Sequence, residues 1–323
     1  MTLIAAYLHG IYPRSEELVA ATRDLDRGRT TPEAVAERQA QDLHELVDLQ
    51  REAGLTYFTD GLITWQDLFR PLVDATPGLA TGALVRWFDN NTFYRAPEAR
   101  GPIGLNGRFP DVLETASEVP EPRVATLPSP YTFSRVAVHG RPNRAMSEIA
   151  EGVLKPVARR LANEGYALIQ LQEPWLAFHG IHEDDWGPFA EAVATITEGL
   201  DATTVLHTYF GDASPHTERL QDLAVDVIGF DFVETDLDRL GSGWTKGVLV
   251  GCVDGRRSVV EPADQIVALV ERVAERLAAP SMYVANNSDL ELLPRDLAAE
   301  KVRTLGRAVA RLNEGAAAKE VAR

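Results

Sequence analysis

Residues 166–174 read YALIQLQEP, a strand-like run that ends on a carboxylate and a proline. Its hydrophobicity hardly alternates, as in a strand covered on both faces. A helical pattern near 146–164 leads into it through Gly165. The same alternation continues downstream. TTVLHTY (203–209), DVIGFDF (226–232), KGVLVGCVDG (246–255) and SMYVANNSD (281–289) are short apolar runs. EDDWGPFAEAVATITEGL (183–200) opens on acidic residues, which suits a helix dipole. EPADQIVALVERVAERLAAP (261–280) is a second helix, with Pro262 near its start and Pro280 closing it. Upstream lie LIAAYLH (3–9), LTYFTDG (55–61) and RVATLPSP (123–130). Between the first two, residues 30–54 form a helix with Thr31 as N-cap, Pro32 at the first helical position and Gly54 at the end.

Eight strands are therefore expected, near 3–8, 55–60, 123–128, 166–172, 203–208, 226–230, 246–251 and 281–285. Apolar strands separated by helices predict the α/β class with a parallel sheet. Eight such units point to a single (β/α)8 TIM barrel over 1–315, with an open doubly wound sheet as the alternative. Residues 61–122 are too long for a loop and read as an insertion after strand two. It contains Trp65, a hairpin-like polar-aromatic stretch (86–105) and a short helix after Pro110. Residues 316–323 read as a frayed tail.

Of the 323 residues 45% are hydrophobic, ample for a core, and the net charge is −16. That charge repels phosphate backbones and anionic lipid, so neither nucleic acid nor membrane is an expected partner. The lone cysteine, Cys252, lies in an apolar run and reads as a buried small hydrophobe. The chain start carries no basic segment before its apolar run, and no run of about 18 apolar residues exists to span a bilayer. A cytoplasmic protein is expected.

The predicted strand ends are rich in chemistry: His9, Tyr12 and Arg14; Asp60; Tyr131; Gln172 and Glu173; His207 and Tyr209; Asp231; Asp254 and Arg256; Asn286, Asn287 and Ser288. In a barrel these ends line the active site. Loop caps need one short side chain each, not His, Arg, Tyr and Glu together. His179 and His182 share a metal-like spacing, but lie in a loop leading into a helix and read as surface residues.

The order of these segments resembles the C-terminal catalytic barrel of cobalamin-independent methionine synthase, in the superfamily that includes uroporphyrinogen decarboxylase. The likeness runs through HGIYPRSEEL (9–18), REAGLTYFTDG (51–61), PSPYTF (128–133), GYALIQLQEPWL (165–176), DVIGFDF, GCVDGRRSVVEP (251–262) and YVANNSDLELLPR (283–295). The resemblance implies a zinc ion held by a His-x-Cys pair, a glutamate and a second cysteine, which activates a thiol. Those positions fall here on Tyr209 and Gly211, Asp231, and Ser288. Residues that hold the amino acid in the family are replaced too, by Ile11, Leu62 and Gln172. Neither zinc nor any other cofactor is expected, while a folate-type methyl donor stays compatible with the resemblance. Full-length members carry a preceding second barrel that this sequence lacks, which counts against folate delivery.

The resulting expectation is a zinc-free relative that moves a methyl, one-carbon or alkyl group, or does acid–base chemistry, on a small anionic substrate other than homocysteine. His207 is its expected base, oriented by Asp231 and assisted by Glu173. Arg14 and Arg256 would grip an anion, and Tyr131, Tyr209 and Trp65 would stack on a ring. His9, Tyr12, Asp60, Gln172, Asp254, Asn286 and Ser288 complete the expected substrate contacts. Two alternatives stand beside it: an inactive binding protein or partner subunit, and a methionine synthase-type methyltransferase using an accessory protein or relocated metal. A homo-oligomer is compatible with either.

Overall fold

The computed structural model describes residues 4–90, 92–105, 107, 109, 118–137 and 142–321. In chain order the main elements are β1 (Ala5–Ala6), α1 (Glu16–Asp26), α2 (Pro32–Glu52), α3 (Arg70–Ala75), β2 (Leu79–Val85), β3 (Tyr94–Ala99), β4 (Arg123–Pro128) and α4 (Pro130–Val136). Then follow α5 (Pro142–Ile149), α6 (Lys155–Asn163), β5 (Tyr166–Glu173), α7 (Pro174–His179), α8 (Trp186–Thr197), β6 (Thr203–Thr208), α9 (Thr217–Gln221) and β7 (Val227–Asp231). The chain ends with β8 (Gly247–Val253), α10 (Ala263–Leu277), β9 (Met282–Asn286) and α11 (Arg295–Val321).

Seven strands form one curled parallel sheet in the order β1-β9-β8-β7-β6-β5-β4. The apolar runs explain it: helices cover the outer face, while the inner face carries a layer of buried apolar side chains beneath the polar ones. Tyr7, Val124, Leu168, Val205, Val227, Leu249 and Ala285 form that inner layer. Of the eight expected strands, the one near 55–60 does not form a ladder. Phe58 makes an isolated parallel bridge to Arg123. The segment nevertheless touches both sheet edges: Thr56 N donates to Ala6 O (2.7 Å), Phe58 N to Pro122 O (2.9 Å), and Val124 N to Phe58 O (2.9 Å).

Local signals account for the helices. The Thr31 side chain accepts from Ala34 N, and Pro32 opens α2. Ser15 caps α1 through Leu18 N, a helix the sequence reading omitted. The single helix expected near 146–164 is split by a π turn at Ala150–Leu154. Pro156 lacks the N–H that a continuous ladder needs, and Gly152 lets the Ile103 carbonyl come to where a Cβ would stand. In the insertion, β2 pairs antiparallel with β3, so the hairpin starts upstream of the expected 86–105 stretch. The helix expected after Pro110 lies outside the described residues. The helical ladder of α11 runs past Gly315 to Val321, where a frayed tail was expected, because its Ala-rich sequence favours helix. Among the described residues no helix is long and apolar enough to cross a membrane.

Candidate active site

The C-terminal ends of β1, β5, β6 and β9 bring a continuous polar network together inside the curl. The strand register sets it: Gln172 on β5 pairs with His207 on β6, which pairs with Gly229 on β7. Gln172 is the hub. Its amide N–H groups donate to His9 Nδ1 (3.1 Å) and Asp289 Oδ1 (3.0 Å), while its Oε1 accepts from Tyr209 Oη (3.0 Å). His9 Nε2 completes the tautomer by donating to Asn286 O at 2.6 Å. Asn286 clasps the ends of β1 and β9, accepting from His9 N and donating to His9 O and Ser288 O.

One layer deeper, Tyr7 Oη donates to Gln170 Oε1 (2.8 Å), so the Gln170 amide faces His207 Nδ1 at 3.2 Å. His207 Nε2 is left as a buried N–H with no partner. The His207 ring packs edge-to-face on His9, with centroids 4.6 Å apart. It lies across Gly229 and Gly251, where a Cβ would approach the ring to 2.8 and 3.1 Å.

The expected base, His207, is enclosed, with its Nδ1 against the Gln170 amide. Burial first, and the neighbouring His9 second, push the His207 pKa well below the ordinary imidazole value. Burial likewise lowers His9 to about 4. Both rings are neutral at physiological pH. Asp231 does not orient His207. Its carboxylate accepts from Asn287 Nδ2 (2.9 Å), Val233 N (3.0 Å) and Phe210 N (3.3 Å), and stands 3.6 Å from Arg256. Burial still raises it to about 6.

Glu173 is also saturated. It accepts from Ser129 Oγ, from Thr132 Oγ1 (2.7 Å) and N (3.1 Å), and from Leu176 N (2.8 Å), where it caps α7. Desolvation outweighs these bonds and raises its pKa.

The aromatic residues expected to stack on substrate are all buried by the protein itself. Trp65 is 1% exposed in the core. Tyr131 turns into the helix layer, 5.4 Å from Phe189, with Arg135 over its ring. Tyr209 is in the network but buried. Tyr12 is buried under the Arg295 guanidinium.

Neither guanidinium stands free. Arg256 is shared by Glu234 (2.8 Å), Asp231 (3.6 Å) and Asp254 (3.7 Å). Arg14 donates to Trp65 O and lines an open groove of about 800 Å³. Asp60 accepts from Leu62 N in its own turn. Asp254 caps the Arg256 amide, and Ser288 Oγ donates to Asn287 Oδ1. His179 bonds Trp87 O and His182 is exposed, so neither joins the network. Cys252 is buried, its thiol pKa raised by burial.

Two groups at the mouth escaped the sequence reading. Asp289 and Glu291 follow β9 and face a cavity of about 10 Å³ bounded by Thr92, Tyr94, Phe210 and Arg256. Burial, then the charge of Glu291, raises Asp289 to about 7; burial raises Glu291 too. The signal was present in the acidic spacing of SDLEL (288–292), and for Gln170 in the i, i+2 glutamines of an otherwise apolar strand.

At the positions where the resemblance places zinc ligands, Gly211 has no side chain, and the Tyr209 and Ser288 hydroxyls and the Asp231 carboxylate are engaged as above. Among the described residues, no group of three or more His, Cys, Asp or Glu side chains is gathered as a metal ion requires.

The family described as "Cobalamin-independent synthase, N-terminal domain" matches residues 76–278. The sequence reading had likened the chain to the C-terminal barrel of that enzyme. A methionine synthase of Sulfolobus acidocaldarius is 24% identical over 94% of this chain and 90% of its own length. Another, of Methanothermobacter thermautotrophicus, is 32% identical over 50% of this chain and 53% of its own. Among solved structures, a B12-independent methionine synthase from Shewanella sp. W3-18-1, in complex with selenomethionine, superposes with a TM-score of 0.81 at 17% identity. That match covers 98% of this chain and 99% of the other, and shows a shared fold.

Proposed function

Because the chain belongs to the cobalamin-independent synthase family, we propose that it is a methyltransferase-type enzyme on a closed (β/α)8 barrel, working without zinc on a small substrate other than homocysteine. Closure is supported by the backbone bonds through which residues 56–58 touch both edges of the seven-stranded sheet. The observation that carries the reading is the donor set. Of the four ligand positions, one has no side chain and two carry neutral hydroxyls. The fourth, Asp231, is taken up by Asn287, two backbone amides and Arg256. These residues do not fit a tetrahedral zinc, which favours thiolate, imidazole and free carboxylate.

The mouth favours proton handling at Asp289, half-buried and facing the cavity, over His207, which is fully buried with its Nδ1 against the Gln170 amide. An anion could take Arg256 only by displacing its carboxylates. The Asp289–Glu291 pair favours a neutral or cationic substrate end at this point.

Elemental analysis of the purified protein is expected to find far less than one zinc per chain. Homocysteine is expected to leave the melting temperature unchanged. Stoichiometric zinc, or a dose-dependent rise with homocysteine, would overturn the zinc-free reading.

One observation favours a second reading, a barrel that binds without turnover. His207, Glu173 and Asp231 are all 0% exposed. Detection of any methylated product from thiol or amine acceptors would decide against it.

A further inference from the structure

Lys301 on α11 is 0% exposed, and a lysine is almost never fully buried without a partner. Its ammonium donates to both carboxylate oxygens of Glu261, at 2.8 and 2.9 Å, and to Val259 O at 2.5 Å. Both acceptors belong to the loop that leads from β8 to α10 at the mouth. Glu261 Oε1 in turn accepts from Asp254 N at 3.0 Å. An ion pair anchored on a helix outside the sheet thus reaches the first residue beyond β8.

The next two amides of that loop are held as well. Gly255 N donates to Asn287 Oδ1 and Arg256 N to Asp254 Oδ1, each at 2.9 Å. At Gly255 the loop lies so close to the segment after β9 that a Cβ would run into the Ser288 and Asp289 carbonyls. With three consecutive N–H groups fixed by side chains, the Arg256 side chain starts from a defined point. Its guanidinium bonds Glu234 (2.8 Å), approaches Asp231 (3.6 Å) and lies over the Phe210 ring, 5.6 Å from the centroid. Arg256 lines the same small cavity as Asp289 and Glu291, yet its charge is taken up by carboxylates of the β7 side.

A buried ion pair is a weak source of stability, because desolvating the two charges offsets their attraction. What this pair supplies is position. Without Lys301 the Glu261 carboxylate, already 20% exposed, turns to water and releases Asp254 N.

We propose that Lys301 is a positioning residue for the mouth: through Glu261 and Asp254 it keeps the Arg256 guanidinium on Asp231 and Glu234 and off the Asp289–Glu291 pair. The proposal rests on the mouth being the functional site, and adds what keeps its wall acidic towards a neutral or cationic substrate end.

The Arg256 Nε–H proton reports on this without any turnover assay. That nitrogen is buried, so its proton is shielded from exchange with water and gives an NMR signal at neutral pH, assigned by its loss in Arg256→Lys. Arg123, whose Nε donates to Val119 O at 2.7 Å, supplies the reference for an intact fold. Lys301→Met is expected to abolish the Arg256 signal and to leave that of Arg123. Two double variants carry no unpaired charge, and they decide the matter even where Lys301→Met fails to fold. Lys301→Met/Glu261→Gln keeps an oxygen for Asp254 N and should retain the signal. Lys301→Met/Glu261→Ala offers none and should lose it. An Arg256 signal that survives in Lys301→Met or in Lys301→Met/Glu261→Ala would overturn the proposal. So would its loss in both double variants, since Lys301 would then not act through the bond to Asp254 N. Zinc or homocysteine binding would refute the function proposed above and leave the NMR result standing.

Discussion

Glu173 sits at a predicted strand end next to a proline, which made it look like a catalytic acid. Its environment assigns it another task. Four donors from α4 and α7 converge on its carboxylate, so it staples two short helices to the end of β5. Glu173→Ala should lower unfolding free energy by about 3 kcal/mol or more in urea titrations, since several buried donors lose their partner. Near-parental stability would mean that the donors find other acceptors. Asp289 behaves differently, because burial and Glu291 raise its pKa from 3.8 to about 7. Unfolding returns the carboxyl to its lower value, so the folded state holds a proton that the unfolded state has released. Its contribution is therefore fully present below about pH 4 and lost as pH rises towards 7. Asp289→Asn removes that loss. The variant should melt above the parent at pH 8, by an amount on the order of 2 kcal/mol given the water that reaches this half-buried group. The gap should close towards pH 4. A gap that widens on acidification would reverse the sign of the argument.

Among the elements, strands β4 to β9 were legible because each is a short apolar run bounded by turn or helix signals. The two longest intervening helices, α2 and α10, announced themselves by amphipathic spacing and prolines. What the sequence concealed was contact between elements. No periodicity reveals that the His207 imidazole lies across two neighbouring strands, yet this bears on the glycine at 229 in VIGFDF, while at Gly251 a Cβ would first meet Phe230 O (2.8 Å) and Asn287 Cα (2.9 Å). A methyl on Gly229 would meet His207 Cδ2 at 2.8 Å and Leu249 Cδ2 at 2.9 Å. Gly229→Ala should therefore cost about 2 kcal/mol from overpacking. In a His207→Ala background much of that cost should disappear, because the ring is gone. Additive losses in this double-mutant cycle would show that Leu249, not His207, dictates the glycine. The same blindness explains the site residues. Strand ends were correctly seen to be polar, but which of them face one another depends on register. Gln172 was marked for substrate, and its hydrogen bonds make it the hub of a protein-internal network instead.

At the scale of the whole molecule, the sheet is continuous from β1 round to β4, and residues 55–59 span the gap between those two strands. The apolar run LTYF suggested a strand there, but the length of a ladder cannot be read from hydrophobicity. Here a single bridge and a few backbone bonds take its place, and they need support from outside the sheet. Gln50, 0% exposed on α2, supplies it by bonding both backbone groups of Thr59, each at 2.9 Å. The helix covering the seam thus locks the seam's main chain. Gln50→Leu keeps the apolar volume and removes both bonds, leaving a buried N–H and C=O unpaired at a cost of about 2–4 kcal/mol. The loss should concentrate at the seam. Amide exchange at Phe58 and Val124, whose N–H groups bond across it, should accelerate, while exchange in the β5–β6 ladder, on the far side of the curl, follows only the global change in stability. Uniform acceleration across all strands would mean that the molecule opens as one cooperative unit and that the seam is no weaker than the ladders.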